Sequence, residues 1–211
     1  MKAHTLETQA TITPDKAFEI LKIGNQRFVQ NLKANRDLLS QVNDTREGQW
    51  PFAVILSCID SRTSAELIFD QGLGDIFSVR IAGNFVNQDI LGSMEFACNV
   101  AGSKLIVVLG HSKCGALKGG LEAAAIHQTE MKNLSHLVGH FNPIIEEILQ
   151  EGEVRSSKNE DLLERLNVQN VKQTIEDIRK QSSTLNQMEK DGKIKIVGAN
   201  YNVETGAVSW L

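Results

Sequence analysis

Two short apolar runs, Ala53-Val-Ile-Leu56 and Leu105-Ile-Val-Val-Leu109, show no alternation at all, which is how a strand reads when a parallel sheet buries both of its faces. Each breaks abruptly into polar residues. Ile76-Phe-Ser-Val-Arg-Ile81 and Ile194-Lys-Ile-Val-Gly-Ala199 add two further strands, and Glu204-Thr-Gly206 predicts a hairpin turn into an antiparallel strand over 207–211. Between the strands the apolar period lengthens to that of helices. These fall at 64–71, closed by Gly72 and Gly74, at 88–101, at 116–125, and at 134–149 after a break near Gln128, with a kink or restart at Pro143. Two more helical pieces lie within 160–190, on the pattern Leu162, Leu163, Leu166, Val171, Ile175 and Ile178. This order predicts a three-layer α/β/α fold whose mostly parallel central sheet has about four strands plus an antiparallel C-terminal edge strand.

Ahead of the first strand, Thr13-Pro14-Asp15 has the form of a helix start, with Thr13 as cap and Pro14 in the first turn. Ala17, Ile20, Leu21, Gly24, Phe28 and Leu32 then make one apolar stripe. Because this helix precedes the whole sheet, residues 13–40 are assigned to an N-terminal helical arm that packs on a partner subunit. Residues 1–12, polar and without period, are assigned to a mobile arm. The chain of 211 residues, 41% hydrophobic and 23% charged, suits one soluble domain over 1–211.

A formal net charge of −4 with scattered Lys and Arg argues against a nucleic-acid partner. No apolar run approaches the ~18–20 residues of a membrane span, and the first residues lack the apolar segment of a secretory signal, so no membrane association and a cytoplasmic location are expected. Three cysteines fit a reducing compartment and a metal role better than a disulfide framework.

The chemistry sits where the two buried runs end. Gly110 is expected to close one strand, and His111 and Cys114 follow it three residues apart. The other strand opens into Cys58, Asp60 and Arg62. If these strands are neighbours, Cys58, Asp60, His111 and Cys114 converge at the carboxyl edge, where open α/β sheets bind ligands, as a four-residue set for one metal ion. Cys98, mid-helix among apolar residues, reads as core. No paired C-x2-C knuckle supports a purely structural zinc. A nucleophilic Cys58 with an anion-cradling Arg62 would need a longer loop than the three residues between them. Gly110–Gly115 lacks the Lys-Ser/Thr of a phosphate-binding loop. His136 and His140 share a helical face with no carboxylate or thiol beside them.

Together, Cys58-Ile-Asp-Ser-Arg62 and His111-Ser-Lys-Cys114-Gly115 resemble the two signature motifs of the β-class carbonic anhydrases. The resemblance extends through Gly72–Arg80, Ala82-Gly-Asn84, Glu95-Phe96, Gly198–Tyr201 and Thr205-Gly206, and includes Gly24–Phe28. It implies Zn2+, one per chain, on Cys58, His111 and Cys114, and reversible hydration of carbon dioxide to bicarbonate by hydroxide formed on the metal. Asp60 would either pair with Arg62 or swing onto the zinc as a fourth ligand. The plant-type branch is favoured. It carries a substrate-binding Gln where Gln49 lies and a pocket Phe where Phe77 lies, while Phe96 replaces a usual Tyr and Gly115 adjoins the substrate. The branch with an allosteric bicarbonate site has Trp and Val where Ile55 and Thr63 stand here. The resemblance also implies a homodimer or a tetramer of paired dimers. Two alternatives remain at this point: hydrolysis of carbon disulfide or carbonyl sulfide on the same fold, and a non-catalytic zinc-bearing interaction protein.

Overall fold

All five residues of β1 (Ala53–Ser57) and all seven of β3 (Leu105–His111) are buried, as their unbroken apolar runs require. In the computed structural model, which describes residues 2–127 and 129–211, the two strands lie side by side and parallel, with Ala53 opposite Leu105 and Ser57 opposite Leu109. β2 (Ile76–Arg80) flanks β1, and β4 (Lys195–Tyr201) flanks β3, both parallel. β5 (Val208–Trp210) closes the far edge antiparallel to β4, giving the order β2-β1-β3-β4-β5. The expected architecture is the observed one.

Eleven helices are formed by the described residues: α1 (Leu6–Ala10), α2 (Pro14–Val29), α3 (Leu38–Thr45), α4 (Ala65–Ile68), α5 (Gln88–Glu95), α6 (Gly115–Leu121), α7 (Ala123–His127), α8 (Lys132–Gly139), α9 (Asn142–Ile148), α10 (Glu160–Gln181) and α11 (Ser183–Lys190). A π-helical turn, Phe96–Val100, continues α5. The break expected near Gln128 falls on a residue outside the described set.

The pleat divides the core in two. Ala53, Ile55, Leu105, Val107 and Leu109 point to one face, where Ala17 and Leu21 of α2 and Ala65 and Ile68 of α4 cover them. Val54, Leu56, Ile106 and Val108 point to the other, against Met94, Cys98, Val171, Ile178 and Leu185. Cys98 is the core residue expected.

Four expectations are corrected. The arm over 1–12 is not patternless: Thr5 and Thr8 form a reciprocal capping box that starts α1, and the buried Gln9 donates to the carbonyls of Pro51 and Ala101. The helix assigned to 13–40 is two helices. α2 stops at Val29 because Asn31 takes a left-handed φ of 55°, and the amides of Asn31 and Leu32 turn back onto the carbonyls of Phe28 and Arg27. The apolar stripe of α2 lies on its own sheet and not on a partner, since this face of β1 and β3 needs a cover that α4, four residues long, is too short to provide. Finally, Gly110 does not end β3. It sits within the strand because α10 passes so close that an added Cβ would lie 2.5 Å from Asn167 Oδ1 and 2.7 Å from a Val171 methyl.

Candidate metal centre

Two strand ends and one helix start build the site. Cys58 is the first residue after β1, His111 the last of β3, and Cys114 caps α6 after a turn in which Lys113 adopts a φ of 58°. Their potential ligand atoms all lie within 4.8 Å of one another, and the residues are 3%, 0% and 0% exposed. The two sulfurs are 4.0 Å apart. A tetrahedral ion with bonds of ~2.3 Å to sulfur sets that separation near 3.8 Å, so the pocket is already close to the size of zinc. His111 Nδ1 lies 3.0 Å from the Ser112 carbonyl, which can only accept, so the proton is on Nδ1. That leaves Nε2 as a bare, fully buried acceptor with no partner among the described residues.

The thiols complete the fit. Cys58 is driven strongly toward thiolate, first by the hydrogen bond from Cys114 and then by the Gly83 and Asp60 amides, against the opposing effect of burial. Cys114 is pushed the other way by sharing with Cys58 and by burial, while the first-turn amides of Ala116 and Leu117 favour its thiolate. Two adjacent sulfur donors and an unpartnered imidazole nitrogen make a donor set for a soft or borderline dication.

Asp60 does not join this group, which corrects the four-residue set. Arg62 takes its carboxylate in a two-pronged fork, Nε to Oδ1 at 2.9 Å and Nη2 to Oδ2 at 2.7 Å, and the Arg62 peptide N–H adds a third bond to Oδ1 at 2.9 Å. The side-chain bonds from Arg62 hold the carboxyl well below the usual carboxylate range, with burial opposing. A carboxylate held two residues before its guanidinium gains more from that fork than from turning inward without it.

Two residues that hold this loop escaped the sequence reading. Arg80 ends β2 opposite Ser57 and donates to the carbonyls of Cys58 at 2.9 Å and Asp60 at 2.6 Å. Thr63 Oγ1 donates to the same two carbonyls at 2.9 and 2.8 Å. Arg80 was discoverable from the register alone, once β2 was laid beside β1. Gly83, in the turn after β2, donates its N–H to Cys58 Sγ at 3.4 Å.

The remaining candidates are not gathered here within one chain. Gln49 is exposed and lies beside Gly74, ahead of β2, so the five residues of β1 at about 3.3 Å each separate it from the metal ligands. Phe77 pairs with Val54, toward the amino end of the sheet. Its ring meets that of Phe96 edge-on at 6.3 Å, and Phe96 is 53% exposed. The two rings line an open depression along the outer strand β2, together with Arg80, Gln88 and Ser93. Gly115 adjoins Cys114, and no atom lies within 4 Å of where its Cβ would be.

Two thiolates and an imidazole at the carboxyl edge of a parallel sheet, with an ionised carboxylate held just outside them, define a catalytic rather than a structural metal protein. Residues 53–208 match the family model described as carbonic anhydrase. Carbonic anhydrase 2 of Mycobacterium tuberculosis is 36% identical over 197 residues, covering 92% of this chain and 90% of that protein. The β-carbonic anhydrase CafA of Aspergillus fumigatus superposes with a TM-score of 0.67 at 27% identity, covering 81% of this chain and 79% of the other. One of two tetrameric β-carbonic anhydrases from Sordaria macrospora shares the fold with a TM-score of 0.64 at 20% identity, covering 79% and 83%. The chain belongs to the carbonic anhydrase family, in its β class.

Proposed function

We propose that the chain catalyses the reversible hydration of carbon dioxide to bicarbonate and a proton, with one zinc ion per chain on Cys58, His111 and Cys114. The observation that carries this reading is the division of labour at the strand ends: three donors converge on one point, and the one nearby carboxylate is held away from them by Arg62. Bound zinc supplies an activated water at neutral pH.

The chain's residues supply the rest. The Cys58 and Cys114 thiolates balance the dication, and His111 presents Nε2 in a fixed tautomer. Asp60 Oδ2 accepts a single bond from Arg62 and keeps a lone pair, with which it accepts a hydrogen bond from the attacking oxygen and points that oxygen at carbon. The open space over Gly115 leaves room for substrate beside Cys114.

Gln49, Phe77 and Phe96 enter across a homodimer, the rings as a nonpolar slot and Gln49 as a donor to the oxygen on which charge grows. Support for that assembly comes from what one chain leaves uncovered: the outer edge of β2, and the exposed Ile23, Leu38, Leu39 and Val42 of the N-terminal helices with Leu32 between them. The tetrameric Sordaria relative supports further pairing. The Asp60–Arg62 fork, with Ile55 and Thr63 in place of Trp and Val, favours the plant-type branch. No helix among the described residues is long and apolar enough to cross a membrane. Three free cysteines favour the cytoplasm. Intact Asp60 and Arg62 argue against a non-catalytic role, and relatives named carbonic anhydrase do not favour carbon disulfide or carbonyl sulfide as substrate.

The test is zinc content by atomic absorption beside stopped-flow carbon dioxide hydration for the wild type, Cys58→Ser and His111→Ala. Wild type carries close to one zinc per chain and is active, and both variants lose metal and activity together. Full activity in a metal-free preparation refutes the reading.

A further inference from the structure

Helix α10 buries three polar residues on the face it turns to the sheet: Asn167, Asn170 and Thr174, exposed by 2%, 0% and 1%. Their spacing of three and four places them on one stripe. Buried amides are tolerated when they are hydrogen-bonded; Asn170 and Thr174 reach the turn after β2 beside the metal centre, and Asn167 reaches strand β4. Asn167 Nδ2 donates to Asn200 Oδ1 at 2.7 Å, Thr174 Oγ1 to the Asn84 carbonyl at 3.5 Å, and Asn170 Nδ2 to the Gly83 carbonyl at 2.9 Å. The last bond has its direction fixed by chemistry, because a carbonyl only accepts, so the amide nitrogen must face it.

Gly83 is the residue whose N–H reaches Cys58 Sγ. Its φ of +81° is open to glycine, and an added Cβ would lie 2.3 Å from Phe141 Cζ. Glycine is also the residue with the most backbone freedom, so its N–H holds its aim only if something else fixes the turn. Asn170 does so from the carbonyl side of the same residue. We propose that Asn170 is a positioning residue for the Cys58 thiolate: its side-chain amide anchors the Gly83 carbonyl and thereby keeps the Gly83 N–H directed at Sγ. The proposal rests on the metal reading given above and goes beyond it, since it assigns a residue on α10, remote from both signature motifs, to tuning a ligand.

The chemical consequence is specific. An N–H···S bond draws electron density from a thiolate, so its loss raises the energy of the sulfur lone pairs. In the cobalt(II)-substituted protein the sulfur-to-metal charge-transfer band of Asn170→Ala should therefore move to longer wavelength. A neighbour supporting a ligand in this way typically contributes about 10–100-fold in metal affinity, so zinc should pass to a chromophoric chelator at least ~10-fold more readily. Thr174→Val is the control, a near-isosteric change on the same buried stripe that leaves the Gly83 bond in place. It is expected to lower thermal stability without moving the band or the zinc affinity.

Should Asn170→Ala not accumulate as folded protein, Asn170→Ser takes its place, its hydroxyl being too short to span to the Gly83 carbonyl. A red-shifted band with weakened zinc in the Asn170 variant alone supports the proposal. An unmoved band overturns it, whatever happens to affinity or stability, and so does an equal shift in Thr174→Val. A wild-type cobalt protein without a thiolate charge-transfer band would overturn the metal reading itself, and this proposal with it.

Discussion

Replacing Arg62 by alanine strips both side-chain donors from one carboxylate and leaves it only the peptide N–H of residue 62. Sheltered charge-assisted bonds contribute ~1.5–3 kcal/mol each. The Arg62 side chain is 48% exposed, so solvent screening reduces the pair to roughly 1–2 kcal/mol. That corresponds to a factor of about 5–30 in the population of Asp60 held in its working orientation. Hydration should fall by at least that factor, and by more if the freed carboxylate takes the position meant for water. Zinc content should not change, since Cys58, His111 and Cys114 remain.

The effect is one of orientation and not of charge. The Asp60 carboxyl is depressed below its ordinary 3.8 in the folded chain, so the stability it contributes is present above that value and is lost only as pH falls through the lower folded value. Asp60 is ionised throughout the neutral range with or without Arg62, and neither protein should show an acid limb near neutrality that belongs to Asp60. Arg62→Lys keeps the charge without the planar fork and should fall between wild type and alanine. The assay is stopped-flow hydration across pH with zinc measured on the same samples. Turnover of zinc-loaded Arg62→Ala within about twofold of wild type, an effect under ~0.5 kcal/mol, would refute the reasoning.

Three further outcomes follow from buried groups. Asp70, with Arg27, Arg36 and the Ala34 amide converging on its carboxylate, sits below its usual range despite burial; Asp70→Asn should cost about 3 kcal/mol in urea unfolding by leaving the buried Arg36 unpaired, and wild type should shed this contribution only as pH drops below 3.8. Burial pushes the Cys98 thiol up to about 12 and Cys114 is likewise raised and fully buried, so a thiol reagent near pH 8 should find no reactive cysteine in the zinc-loaded protein and one, Cys58, once a chelator removes the metal; modification of Cys98 in the folded protein would contradict its burial. Gly83→Ala combines left-handed strain with a clash on Phe141 and should lose about 2–4 kcal/mol of thermal stability, whereas Gly152→Ala, left-handed but with nothing within 4 Å, should lose only about 1–2 kcal/mol.

The layers of the fold could be read in the sequence because burial on both faces leaves a clear trace: β1 and β3 open on unbroken apolar runs, while β2, an edge strand with only Ile76 buried, and β4 mix polar residues into theirs. The metal ligands were legible for a related reason, since Cys58, His111 and Cys114 interrupt or follow those runs where ligand sites form. Other features left no such trace. An apolar stripe on α2 says that a helix is covered and not by which surface, so its own sheet and a partner's look alike in one dimension. Asp60 belongs to a fork only because Arg62 curls back over it, and the spacing i, i+2 allows that geometry without requiring it. Asn170 was hidden by its helix, where the pattern directs attention to Leu166 and Val171 and passes over the amide between them.

The site separates into parts with different structural requirements. The proposed ligands and the Asp60–Arg62 fork lie within one chain, on loops tied together by Arg80 and Thr63, so the proposed metal site takes no ligand from a partner. The groups proposed to receive substrate are not beside it: Gln49 lies at the amino end of the sheet, and the two phenylalanines lie on its outer edge. Arg80 stands where these parts meet, since it pins the carbonyls behind the metal ligands and also lines the depression under Phe77 and Phe96. On the proposed dimer, a partner seated against β2 would therefore press on the residue that holds the Cys58–Asp60 loop. Assembly would complete the pocket and stiffen the metal centre through a single side chain, which gives a physical reason for placing catalysis at a subunit boundary while each chain keeps its own metal.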